Sequence, residues 1–402
     1  MHYSPIHFKH DLFFACSCIA ALAFSASTAA QNLNINKWLP DSVQVHGFLS
    51  QGFIHTSNNN FFGHSKDSLS TDFRELGVNG SWSALPDLQL ALQVVWRDAG
   101  QTDEDGFRID YGLANYNLLS TESSQLAIRA GRVPTPLGFY NETRDVASTR
   151  PSIFLPQSIY FDRNRNLALS ADGGYLYGEH RTDFGDFSFN FGLIIPRTDD
   201  PEFMNTILRR ESGALEGDTS WIARLGYEAP DKGVRLAVTY AEFLSDFHSS
   251  QQPSNEGSFH FSPLILSAQY NAEKWSLTAE YALRRTRLDY FQHSDIGFTG
   301  QSYYLQGTYR FTDKLEGLIR YDELVWDLDD QYGYRYPAPL GPSFSRYARD
   351  WTFGLRYEIL PSLLASAEYH HINGTGWLPR LENPQQEAQR WDMYAFMLSY
   401  NF

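Results

Sequence analysis

The stretch from Trp391 to Phe402 sets the tightest limit on how this chain can fold. Tyr394, Phe396, Leu398, Tyr400 and Phe402 share one parity, while Met393, Ala395, Met397, Ser399 and Asn401 take the other. That two-residue period belongs to a strand with one greasy face. Such a strand cannot stand alone in water, because its aromatic face needs an apolar surround and its backbone edge needs a partner. A closed barrel in lipid supplies both, whereas the edge strand of a soluble sandwich supplies them less completely.

The same alternation recurs along the chain. Leu88, Leu90, Leu92, Val94 and Trp96 alternate with Gln89, Ala91, Gln93, Val95 and Arg97, and Trp275, Leu277, Ala279, Tyr281 and Leu283 with Ser276, Thr278, Glu280, Ala282 and Arg284. Trp351, Phe353, Leu355 and Tyr357 repeat it against Thr352, Gly354, Arg356 and Glu358. Strands are expected near 43–54, 73–82, 88–97, 107–118, 125–133, 168–180, 186–195, 219–228, 233–243, 261–271, 274–286, 298–311, 315–326, 347–358, 362–372 and 391–402. Short turns built on Leu85-Pro86-Asp87, Pro230-Asp231-Lys232-Gly233 and Leu360-Pro361-Ser362 alternate with long polar connections. The fold class is therefore all-β: a transmembrane antiparallel barrel of about 16 strands with long outer loops. Aromatic residues make up 15% of the chain, and those near strand ends, such as Trp82, Trp275, Tyr309 and Tyr357, suit interfacial girdles.

The first 30 residues read as a secretory signal, with Lys9 in a polar lead, an apolar run from Leu12 to Phe24 and small residues at Ser27-Thr28-Ala29-Ala30. Cleavage after Ala30 would leave one barrel domain over 31–402 and remove Cys16 and Cys18. That excludes cysteine nucleophiles and thiolate metal sites from the exported chain. The net charge of -15 argues against nucleic acid as a partner.

The sequence resembles the outer-membrane porins of Gram-negative bacteria: the strand pattern spans the whole exported chain, and the final strand ends on the aromatic Phe402. The segment Gly131-Arg132-Val133-Pro134-Thr135-Pro136-Leu137-Gly138 resembles the corresponding passage of the phosphate-selective and dicarboxylate-type porins. The resemblance implies an outer-membrane location amid lipid and lipopolysaccharide and passive diffusion of small hydrophilic solutes. It further implies recognition of Phe402 by the barrel-assembly machinery, a homotrimer, and a third loop folded inward as a constriction. Gly307, Gly317, Ala365 and Ala367, at outward parity, would permit close subunit contact or simply lie under lipid.

The residues support the constriction independently. A barrel of this strand count cannot fill its lumen with strand side chains. The third loop, Pro134 to Asn166, is the longest connection, and Phe139, Phe154, Leu155, Ile159 and Phe161 suit it poorly for water. Its charges are Glu142, Arg144, Asp145, Arg150, Asp162, Arg163 and Arg165. They either set a transverse field for passing solutes or pair with one another to hold the loop. Of 32 basic residues all are arginine except Lys9, Lys37, Lys66, Lys232, Lys274 and Lys314. Inward parity collects Arg97, Arg129, Arg224, Arg235, Arg284, Arg310, Arg320 and Arg356, which fits a route for phosphate or organic acids. Glu75, Asp110, Glu280, Glu316, Asp322, Glu358 and Glu368 share that parity, so cross-strand pairing is the competing reading.

The acidic clusters Asp103-Glu104-Asp105, Asp199-Asp200 with Glu202, and Asp327 with Asp329 and Asp330 read as solvated loop tips or as seats for cations bridging to lipopolysaccharide. No cofactor, resident metal or catalytic residue is expected. His46 and His370 take inward parity, His370 and His371 point to opposite faces, and no Gly-x-Ser-x-Gly elbow occurs, which weighs against a lipid hydrolase. A structural or adhesive barrel blocked by its own loops shares every feature above except conductance.

Overall fold

Lipid outside and water inside demand opposite side chains on the two faces of each strand, and the strands obey. The computed structural model describes residues 35–103, 106–198, 200–208, 213–250, 256–290, 293–385 and 388–402. The expected signal sequence lies outside them. Among the described residues the strands are β1 (Val43–Thr56), β2 (Ser70–Leu85), β3 (Leu88–Ala99), β4 (Gly106–Ser120), β5 (Ser124–Pro134), β6 (Ser170–Thr182), β7 (Gly185–Ile195) and β8 (Gly213–Glu228). The second half holds β9 (Val234–Ser249), β10 (Glu256–Asn271), β11 (Trp275–Tyr290), β12 (His293–Arg310), β13 (Leu315–Val325), β14 (Tyr347–Leu360), β15 (Leu363–Gly374) and β16 (Arg390–Asn401). Each bonds to its chain neighbours, and β1 bonds to β16, so the barrel closes. Closure leaves no sheet edge, so the strands satisfy one another's backbone groups where lipid cannot.

The faces fall where alternation put them. Gln93, Val95 and Arg97 are buried inward, while Leu90 and Leu92 are 37% and 47% exposed outward. Trp82, Tyr116, Tyr270, Trp275, Tyr309 and Tyr357 stand outward close to the short turns. At the seam Gly47 and Phe402 exchange both backbone hydrogen bonds at 3.0 Å. A Cβ on Gly47 would sit 2.2 Å from Cζ of Phe402, so only glycine lets that ring lie across the seam.

The strands outrun their expected bounds at the long-loop end. β9 and β10 continue to Ser249 and from Glu256, and β11 pairs with β12 out to Tyr290 and His293. The segments 244–260 and 287–297, expected as loops, are thus largely hairpin. Beyond the lipid the outer face turns polar, as at Asp246 and His248, while the inner face packs on the loops, as at Phe247 and Phe259, so backbone pairing continues without the oily outer stripe that marks a crossing. The long connections are here named L1 (57–69), L2 (100–105), L3 (135–169), L4 (196–212), L7 (326–346) and L8 (375–389). L3 ends in a helical turn α1 (Arg165–Leu169), and L4 carries a helix α2 (Pro201–Leu208).

Two apolar cores form between loops and inner wall. One joins Phe61, Phe62, Phe154, Trp377 and Leu378 of L1, L3 and L8 to Phe73, Trp391 and Met393 of the strands. The other joins Leu137 and Leu167 of L3 and Phe203 of α2 to Phe243, Phe247 and Phe259. The long-loop half of the lumen is therefore packed with loop side chains on two sides.

Candidate functional site

L3 begins where β5 ends at Pro134 and turns at once into the lumen. Its base is tied by Asn141, whose side-chain amide donates to the carbonyls of Thr135 (2.8 Å) and Ala168 (2.6 Å). Gly138 follows with φ +60°, and a Cβ there would lie 2.3 Å from the Tyr160 hydroxyl. Glycine is needed both for the left-handed turn and for that approach.

The loop then reaches walls on opposite sides. On β11, Glu280 accepts hydrogen bonds from the Tyr160 hydroxyl (2.5 Å), the Tyr304 hydroxyl (2.8 Å) and the Phe139 amide (3.0 Å). On β3, Arg97 is 1% exposed and donates to Asp162 of L3 at 3.1 Å, as well as to Glu75 (3.3 Å) and Asp103 (2.7 Å). β3 and β11 stand half the ring apart, eight strands either way. L3 is thus a strut across the lumen, held by charged hydrogen bonds at both ends.

Wall carboxylates provide further anchors. Glu75 holds Arg150 at 2.6 Å, Glu368 accepts from the amides of Ile153 and Phe154, and Asp322 accepts from the Ser158 amide at 3.2 Å. Arg320 donates to the Ser152 hydroxyl (2.9 Å) and the Phe154 carbonyl (3.0 Å), and Arg356 to the Ser148 carbonyl (3.0 Å). Within L3, Asp162 also accepts from Arg144 and Arg165 (both 3.3 Å), and Arg165 pairs with Asp145. Arg163 stacks 5.0 Å from the Trp326 ring.

Every charge expected in the loop therefore has a protein partner, and most are buried. The exception in exposure is Glu142, 36% exposed, whose carboxylate accepts from Arg224 at 3.0 Å. Among the wall arginines, Arg97, Arg284 and Arg320 are buried, whereas Arg129, Arg224, Arg235 and Arg356 stay half-buried. Arg129 lies over Tyr177 at 4.7 Å and Arg235 over Phe139 at 4.5 Å. Arg310 is exposed at the short-turn end, opposite Glu316 in register. Cross-strand stitching accounts for some of these contacts, but wall-to-loop docking accounts for more.

The described members of two acidic clusters differ from their expectation as solvated tips, whereas Asp327, Asp329 and Asp330 stay half-buried or exposed in L7. Asp103 is largely covered between Arg97 and Arg108; that covering alone would raise its carboxyl, yet the two guanidiniums pull it down to about 2. Asp200 and Glu202 are buried as well: Asp200 accepts from the Phe203 amide (2.9 Å), and Glu202 from the amides of Arg380 (2.8 Å) and Leu381 (2.9 Å) in L8. Glu104, Asp105 and Asp199 lie outside the described residues. Among the described residues no group of acids and histidines is placed to hold a metal ion.

A carboxylate that sequence reading missed completes the canopy. Oε1 of Glu382 in L8 accepts from the amides of Gly63 in L1 and Gln101 in L2, both at 2.9 Å, while its Oε2 is buried without a partner. Burial pushes that carboxyl up to about 7, and Asp200 up to about 6 for the same reason. No local motif marks Glu382; its partners come from the far end of the chain.

His370 is buried inward between Asp350 (2.7 Å) and Glu368 (3.2 Å), and His371 faces outward. The structure also brings Ser258 within 3.0 Å of His260 at the outer end of β10. There the hydroxyl, not the imidazole, reaches Asp289, and Asp289 is held by Arg287, so among the described residues no acid is hydrogen-bonded to the histidine to orient it as a base.

The family model described as Gram-negative porin matches residues 15–402. Similar solved structures include an anion-selective porin from Comamonas acidovorans (14% identity, TM-score 0.55, covering 90% of this chain and 99% of that one). The outer membrane channel DcaP of Acinetobacter baumannii is also similar (10% identity, TM-score 0.58, 90% and 97% covered). So is OmpT of Vibrio cholerae (10% identity, TM-score 0.56, 90% and 99%). At such identities these structures speak for the fold alone. No curated protein sequence matches the chain.

Proposed function

The chain belongs to the Gram-negative porin family and is an outer-membrane channel for small solutes, and from that premise we propose that L3 sets its aperture and that small organic anions and phosphate pass preferentially. The observation that carries this reading is the strut itself, fixed by Arg97 on β3 and Glu280 on β11. Solutes then move around L3 rather than through an open cylinder, and their size is judged there.

The anion preference is supported by the cations that stay accessible. Arg129, Arg224, Arg235 and Arg356 remain half-buried at inward positions, whereas Arg97 and Arg320 are committed to L3. Guanidinium groups on a narrow route favour carboxylate and phosphate over cations. One similar structure is that of an anion-selective porin. Proteoliposome swelling tests both parts. Fast swelling in small neutral sugars and in succinate, with slow swelling in organic cations of equal size, is expected. Equal rates for both charges would overturn the preference.

The dense packing of L1, L3, L4 and L8 against the wall favours one further possibility, a channel that rests nearly shut until its loops shift. Swelling that is absent in wild type and restored by loosening L3 would select it.

Assembly follows the same logic. Gly307, Gly317 and Ala367 leave a shallow depression in the outer wall beside Phe311, Phe353 and Leu355, which suits close packing of a second subunit in a trimer. A trimer form is described for the Vibrio cholerae OmpT. Phe402 at the seam is the proposed signal for the barrel-assembly machinery, and residues 1–30 the proposed export signal. Lipopolysaccharide is the proposed neighbour of the long-loop end.

A further inference from the structure

Three guanidinium groups crowd one indole at the outer mouth. The guanidinium carbons of Arg163, Arg284 and Arg346 lie 5.0, 5.6 and 5.5 Å from the centroid of Trp326, and Arg346 lies 5.5 Å from Phe298. They border a cavity of about 540 Å³ between L3, α2, the outer ends of β10 to β12, and L7. Arg380 adds a fourth cation. Among the described residues the lining carboxylate is that of Asp327, and it is already turned onto the amide of Asp329 at 3.0 Å.

Arg284 shows most clearly what this cavity lacks. Its side chain is buried, and its Nη2 donates to the carbonyls of Val325 (3.1 Å) and Gln301 (3.4 Å). Its Nε is buried with no partner. A buried guanidinium nitrogen without an acceptor is costly; carbonyl oxygens do not neutralise its charge, and the Asp322 carboxylate acts on it only through space, without a hydrogen bond. A bound carboxylate would supply both acceptor and charge, while the aromatic walls would take a flat ring. The volume lies in the range of small-molecule sites.

We propose that this cavity binds an aromatic carboxylate arriving from outside, its acid group on Arg284 and its ring between Trp326 and Phe298. An aliphatic acid would meet the guanidinium but forgo the ring contacts, and an aromatic amine would be repelled. On the other side of Arg284 a separate small cavity of about 20 Å³ lies between L3 and β10 and β11. The inference rests on reading this mouth as the solute entrance.

Calorimetric titration of the full barrel in detergent with benzoate, acetate and benzylamine tests it. Saturable benzoate binding is expected, with acetate at least about tenfold weaker and benzylamine silent. Arg284→Met and Phe298→Ala should each weaken benzoate by about tenfold or more. Phe298→Ala stands in should the buried arginine prove necessary for folding, and heat-dependent gel migration reports the folded fraction. Absent benzoate binding, equal binding of acetate and benzoate, or binding that ignores both substitutions overturns the proposal. A barrel that swells normally in sugars yet fails these titrations overturns this inference alone.

Discussion

The Tyr160 hydroxyl lies 2.5 Å from the Glu280 carboxylate, fastening the middle of L3 to β11 on the wall facing the Arg97 to Asp162 pair. Tyr160→Phe removes the buried charge-assisted hydrogen bond to Glu280 and the acceptor of the Phe139 and Tyr140 amides, a loss of at least about 1–3 kcal/mol at that anchor. Glu280 keeps Ser267, Tyr304 and the Phe139 amide, so the barrel should still fold. Single-channel conductance should rise and become noisier. Gly138→Ala should do the same, because its Cβ would collide with the Tyr160 hydroxyl.

Arg97 is the other end of the strut and touches three carboxylates from L2, L3 and β2. Arg97→Met leaves buried negative charge behind and should destabilise the barrel by about 3–5 kcal/mol. Thermal unfolding in detergent, followed by far-ultraviolet circular dichroism, measures this. Pairing the substitution with Glu75→Gln should recover part of the loss.

Acid should tighten the outer canopy. The Glu382 carboxyl is raised by burial to about 7 when it bridges L1 and L2, against 4.5 ordinarily. A raised folded-state value means the closed canopy holds the proton more tightly than the open one. Closure is therefore fully favoured below about 4.5 and weakens as pH rises through about 7. Open probability in bilayers should fall between pH 8 and pH 5. Glu382→Gln mimics the protonated form and should flatten that dependence.

The seam makes a separate prediction. Gly47→Val places methyl groups where the Phe402 ring lies. Overpacking of this kind costs about 1–3 kcal/mol, and the folded yield on refolding into detergent should drop. Phe402→Ala in the same background should restore it.

The strands were legible because lipid enforces a period of two over each crossing, as the outward Trp351, Phe353, Leu355 and Tyr357 show. Their outer ends were not: at Ser70, Gly213 and Glu256 the chain is already paired, but beyond the lipid no oily outer face marks the strand. The charges of L3 were visible in sequence, and so was the inward turn signalled by Phe139, Phe154 and Leu155. Their partners were not. Arg97 meets Asp162 and Arg150 meets Glu75 only because the barrel brings β2 and β3 to the tip of a loop that leaves β5. L4 and L8 carried no sign of their role, because Glu202 and Glu382 act through backbone amides, which any sequence supplies.

The most direct measurement is a planar-bilayer recording of the purified barrel in a potassium chloride gradient. The account predicts discrete unitary steps, a reversal potential displaced toward that of chloride, and larger steps for Tyr160→Phe. A barrel that is folded by circular dichroism and yet passes no steps as wild type or as Tyr160→Phe, or one whose reversal potential lies on the potassium side, would contradict it.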